Sequence, residues 1–210
     1  MGGDLIVRGG EGATLRLNGL VCGGKIIVVG KVRVEIDHCT ILPKRSPEQN
    51  QETVVGITEI SGGAEVAISN SIVGQVNLPK ESGALVVGDS IIDGAGEGAI
   101  VSRVGEYGPV TTIERSTILG RVYVEAMQLG SETIFTEPVQ VQRKESGGLR
   151  YSYAPVGYQT PSSEADYYST KPSLPGEPSP RLPVFFHLGK LLRQTIITLH
   201  QKDMSASQRV

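Results

Sequence analysis

Five short segments of the chain open and close on large aliphatic residues five positions apart, with polar or small residues at the second to fourth positions. They are Ile36-Asp-His-Cys-Thr-Ile41, Ile68-Ser-Asn-Ser-Ile-Val73, Val87-Gly-Asp-Ser-Ile-Ile92, Ile113-Glu-Arg-Ser-Thr-Ile118 and Leu129-Gly-Ser-Glu-Thr-Ile134. The fourth residue is small in the first four (Cys39, Ser71, Ser90, Ser116), and Glu132 stands there in the fifth. In one flat strand, an odd separation would put the two aliphatics on opposite faces. A corner near the polar dipeptide returns both to the inside. A second short strand with period-two alternation follows, as in Val76 and Leu78, Val122 and Val124, and Val139 and Val141. Gly74, Gly94 and Gly120 fall between the two strands, where a turn calls for positive φ.

The segments recur at intervals of 32, 19, 26 and 16 residues. A nearly constant minimum with looped-out excess is the signature of stacked coils. The excess falls in Pro43–Glu52, which is polar, and in Gly94–Pro109, which is rich in glycine. A leucine-rich repeat would keep a firmer period and a helix per repeat. A β-sandwich would show hairpin dipeptides between clean strands, and Asp93-Gly94 comes nearest without meeting that description. The pattern therefore predicts an all-β chain, a right-handed parallel β-helix over residues 1–160. Leu15, Leu17, Leu20 and Ile26–Val29 form a less regular first coil. The small-residue column is expected to be a ladder of groups sharing hydrogen bonds.

The stretch from Ile113 to Pro161 resembles the β-helical part of large bacterial proteins encoded near phage-tail-like, contractile-injection gene clusters. Ser131, Ile134, Phe135, Thr136, Val139, Val141 and Arg143 match a recurring rung ending. Arg150, Tyr151, Ser152, Tyr153, Pro155, Gly157, Thr160 and Pro161 match the aromatic-rich segment after it, where Gly148 replaces the family's cysteine. The resemblance implies a structural or surface component of a tail-like or secreted assembly. It brings no active-site residues with it.

Composition narrows the picture. Aromatics are 5% and Trp is absent, so the core is built from Val, Ile and Leu. A net charge of -2 gives no basic field for nucleic acid. No apolar run reaches the length of a membrane span, and the first residues lack the pattern of a signal peptide, pointing to the cytoplasm or to part of an exported assembly. Cys22 and Cys39 are expected to be reduced and buried.

After Pro161 the repeat is gone. Residues 161–183 hold six of the 12 prolines and read as a linker. In 184–210, Phe185, Leu188, Leu192, Ile196 and Leu199 have helical spacing, with Lys190, Arg193 and Lys202 nearby. That tail reads as an amphipathic helix for a membrane surface or partner, a helix capping the solenoid, or a disordered end. Gly189 and the run Thr195–Thr198 weigh against a helix. A shifted reading frame after about Tyr168 is a further reading.

Many β-helix proteins cleave polysaccharides with carboxylates lined up on one outer face. The comparable positions here are Asp37-His38, Ser69-Asn70, Gly88-Asp89 and Glu114-Arg115. Asp89 and Glu114 on neighbouring rungs would suit an acid/base pair or Ca²⁺, with Arg115 as the basic residue. The competing reading is solvated corner residues, since Asp and Asn suit turns. His38 alone makes no metal site, no spacing supplies four zinc ligands, and the glycine-rich runs lack a phosphate-loop ending. Tyr151, Tyr153, Tyr158, Tyr167 and Tyr168 suggest an aromatic cap over the last rung. The expectation is a module without cofactor or metal, working through protein partners, with a carbohydrate-active enzyme as the alternative.

Overall fold

β-Branched and leucine side chains at alternate positions make short strands whose apolar face must be buried. In the computed structural model, which describes residues 3–42, 55–60, 62–102 and 106–155, those strands stack in parallel. One sheet has seven strands, Ala13–Asn18, Val32–Asp37, Glu65–Ser69, Leu85–Gly88, Thr111–Glu114, Met127–Ser131 and Leu149–Arg150, neighbours in space in that order. The other has ten, and the chain visits the two sheets alternately, coil by coil. This is a parallel β-helix. Pro43–Glu52, Tyr158, Tyr167, Tyr168, and the linker and tail at 161–210 lie outside the described residues.

The interior is a set of aliphatic columns. Leu17, Ile36, Ile68, Val87 and Ile113 stack along one sheet. Cys22, Ile41, Val73, Ile92, Ile118 and Phe135 stack on the other, just past the corner. Ile26, Ile57, Val76, Ile100, Val122 and Val139 make a third column from the second short strand. All six of these last are 0% exposed. Cys22 and Cys39 are buried and unbonded to each other.

The six-residue segment occurs seven times rather than five. Leu17–Cys22 precedes the expected set and Leu149–Ala154 follows it. The third residue of every copy has left-handed backbone: Gly19 at φ 68, and His38, Asn70, Asp89, Arg115, Glu132 and Tyr151 between 46° and 52°. Asn18-Gly19, a hairpin dipeptide by composition, turns this corner between two sheets instead.

Several expectations need correction. The fifth segment is Gly130–Phe135, not Leu129–Ile134, because Gly130 sits opposite Ile113 and Phe135 opposite Ile118. A register slip between Thr111–Met127 and Thr112–Leu129 moves the frame by one residue. Glu132 is therefore a corner residue, and Thr133 takes the small position. Of Gly74, Gly94 and Gly120, only Gly120 has positive φ, at 128. Gly94 answers a close approach instead, since a Cβ there would lie 2.3 Å from the Gly98 carbonyl oxygen. Gly94–Pro109 is not one loop: Ile91–Val101 is a strand whose register breaks between Asp93 and Gly98, and Ala99 and Ile100 are in the core. Of the tyrosines expected to cap the last rung, Tyr151 is instead 63% exposed at the seventh corner.

Candidate functional site

The corners carry all the candidate residues, and their construction starts from a hydrogen-bonding problem. A left-handed residue turns the chain sharply, and the next N–H points inward, past the reach of the neighbouring carbonyl ladder. A buried N–H left without an acceptor is costly. Here the hydroxyl of the coil above takes the carbonyl's place. The N–H groups of Cys39, Ser71, Ser90, Ser116 and Thr133 donate to the side-chain oxygens of Ser71 (2.9 Å), Ser90 (3.1 Å), Ser116 (3.1 Å), Thr133 (3.4 Å) and Ser152 (3.1 Å). Each hydroxyl in turn donates to the carbonyl two residues back, as Ser90 does to Gly88 at 2.6 Å and Ser116 to Glu114 at 2.7 Å. On either side the ordinary ladder continues, with Asp89 N–H donating to Glu114 O at 3.1 Å and Ile91 N–H to Ser71 O at 2.9 Å. The expected column of small groups is thus a buried hydroxyl ladder.

Outside it, the third residues stack as a polar column. Arg115 grips Asp89 from the next coil, with Nε donating to Oδ1 and Nη2 to Oδ2, both at 2.8 Å. The hydrogen bonds from Arg115 and its charge hold the Asp89 carboxyl below its ordinary range, and Asp89 raises Arg115 in return. Glu114 belongs to the neighbouring column, opposite Gly88 and Ser131. The structure therefore pairs the Asp89 side chain with Arg115, while the Asp89 backbone meets the Glu114 carbonyl.

Asp37 makes the densest contacts. Its Oδ1 accepts from Ser69 Oγ at 2.8 Å and Asn70 Nδ2 at 3.0 Å. Its Oδ2 accepts from Asn18 Nδ2 at 3.0 Å and lies 2.9 Å from His38 Nδ1. The hydrogen bond from Asn70, then those from His38 and Ser69, hold the carboxyl at about 2. A carboxyl depressed in the folded state stabilises fully above its ordinary value of 3.8, and that contribution fades as pH falls toward about 2. Urea midpoints measured from pH 5 down to 2 should consequently fall more steeply for the natural chain than for Asp37→Asn. Parallel curves would show that the cluster contributes nothing to folding.

One carboxylate escaped the sequence reading. Glu59 is 5% exposed and occupies an inward position beside Val28. Its Oε1 accepts from the Ala64 N–H at 2.8 Å, and its Oε2 accepts from Ser82 Oγ. Burial pushes its carboxyl above the ordinary range. The signal was available: two residues after the inward Ile57, strand alternation points Glu59 inside.

Among the described residues, no group of three or more His, Cys, Asp or Glu is placed to hold a metal ion. No helix among them is long and apolar enough to cross a membrane. In comparisons with known proteins, no family model, no curated protein and no solved structure matches the chain.

Proposed function

We propose that the chain is a structural and interaction module, a β-helical spacer that displays its loops within a larger tail-like or surface assembly. The observation that carries this reading is what the corner residues do with their charges. Asp89 is held by two nitrogens of Arg115, and Asp37 by four neighbours drawn from its own and adjacent coils. These contacts run from coil to coil along the stack, so the polar residues reinforce the repeat. An acid/base pair needs carboxyls set apart at a reacting bond. A carboxylate held in a bidentate clamp is a poor general acid. The resemblance of Ile113–Pro161 to β-helical proteins of tail-like gene clusters supplies the assembly in which such a spacer would serve.

Two experiments test this. Incubation with uronic-acid polymers, with and without Ca²⁺, should release no reducing ends or unsaturated products. Turnover that disappears in Asp89→Ala would overturn the structural reading in favour of a polysaccharide-cleaving enzyme. The tail-like setting is tested separately by the genes flanking this one, which should encode tail-sheath, tail-tube or baseplate-like proteins. A neighbourhood of carbohydrate uptake and degradation genes would contradict it.

A further inference from the structure

We infer that Glu59 is the centre of a proton-controlled latch that fastens the chain at Gly62–Ala64 to the next coil. The strand Val55–Glu59 ends with Ile57 and Glu59 both facing inward. On the preceding coil Glu59 stands against Val28, which is 0% exposed. On the following coil the pairing of Thr58 with Asn77 sets Leu78, also 0% exposed, beside it. An acid thus sits between two aliphatic residues on the inner face. It reaches two separate pieces of chain: the Ala64 N–H, at the far end of its own corner, and Ser82 Oγ, one coil further on.

The charged groups near it do not neutralise it. Glu81, adjoining Ser82, raises the Glu59 carboxyl further through like charge. Glu65, next to Ala64, is exposed and reaches toward Arg33, 3.4 Å away. Lys31 is exposed and passes its stem under the corner, where a Cβ on Gly63 would lie 3.0 Å from Lys31 Cγ. Among the described residues no cation is paired with Glu59. Ionised, Glu59 keeps both hydrogen bonds but holds a buried negative charge, which is costly without a partner. Neutral, it still accepts from Ala64, and its own proton can be donated to Ser82 Oγ, whose hydroxyl rotates to accept. The same two contacts persist with no buried charge.

The sign follows from linkage. A carboxyl raised in the closed state stabilises that state fully below its ordinary value of 4.5, and the contribution is lost as pH rises through the raised value. The latch is tight below the carboxyl's ordinary value and loosens as pH rises through the raised one. Its site is distinct from the Asp37 cluster, whose pH dependence has the opposite sign.

The test is a carboxyl-carbon NMR titration of Glu59 together with amide exchange at Ala64, corrected for the intrinsic pH dependence of exchange. Glu59 should titrate above the ordinary carboxylate range. The open fraction of the corner should rise by up to about tenfold per pH unit between the two values. In Glu59→Gln, which keeps an acceptor for Ala64 and a donor for Ser82, the corrected opening should not vary with pH. Titration of Glu59 in the ordinary range would overturn the proposal, and needs no variant. So would an unchanged pH slope in Glu59→Gln.

Discussion

Replacing Phe135 with alanine is expected to destabilise the solenoid by about 3–5 kcal/mol, at the upper end for core truncations. Phe135 is 0% exposed and is the one ring in a closing column of Cys22, Ile41, Val73, Ile92 and Ile118. Its size is matched by a missing side chain. Gly130 stands where earlier coils carry Ile or Val, and a Cβ placed there would lie 3.6 Å from Phe135 Cζ and 2.4 Å from Leu149 Cδ2. Phe135 and Leu149 therefore fill the notch that Gly130 leaves, and alanine would open a cavity on two rungs at once. Denaturant midpoints should show the loss with little change in slope. Ile118→Val, one coil away and also 0% exposed, should cost only about 0.5–1.5 kcal/mol. Equal effects of the two would mean that the pairing of Gly130 with Phe135 is not what fills this region.

Ser90→Ala should cost about 1–3 kcal/mol, although it removes a single oxygen from a residue 2% exposed. The lost hydroxyl is the acceptor of the Ser71 N–H, and alanine would leave that buried donor with no partner. The same column sets the controls. Thr133 already performs this role in its coil, so Ser90→Thr should be close to neutral where the added methyl is accommodated. Cys39 closes the first step of the ladder with its Sγ 3.2 Å from the Asp37 carbonyl, which makes Ser90→Cys the intermediate case. Urea unfolding of the three variants should rank them threonine, cysteine, alanine. Alanine matching the natural chain would show that the hydroxyls are not acceptors of ladder bonds.

The repeat was legible because its physical requirement is written in residue type. Two aliphatics around a corner, a polar residue in the left-handed position (Asn70, Asp89, Arg115) and a small hydroxyl leave the same trace in Ile68–Val73, Val87–Ile92 and Ile113–Ile118. It failed where packing substituted one solution for another. At Gly130 the opening aliphatic is absent because Phe135 and Leu149 occupy its volume, so the aliphatic pattern alone starts this copy one residue early, at Leu129. At Leu17–Cys22 the small position is Leu20, 40% exposed, and the copy was missed. At Leu149–Ala154 the aromatic residues Tyr151 and Tyr153 drew attention from Ser152, the true ladder residue. At the corners, the dipeptides that hold Asp89, Glu114 and Arg115 were legible. Partner choice is not written in residue type, because it depends on whether stacking joins third residue to third or second to second. The left-handed column joins Asp89 to Arg115 and leaves Glu114 with Gly88 and Ser131.

The central claim is that successive copies of the repeat lie on one another in register along one axis. Spin labels on the outer face of the seven-stranded sheet test it directly. Arg16, Glu35, Ala67, Val86, Thr112 and Leu129 follow one another across neighbouring strands. With Cys22 and Cys39 replaced, backbone separations from Arg16 should be about 14 Å to Val86, 19 Å to Thr112 and 24 Å to Leu129, one strand spacing per coil. Electron paramagnetic resonance should return distances that grow in that order and by those steps. Distances that shrink or double back along the series would place the segments in hairpins and contradict the parallel stack.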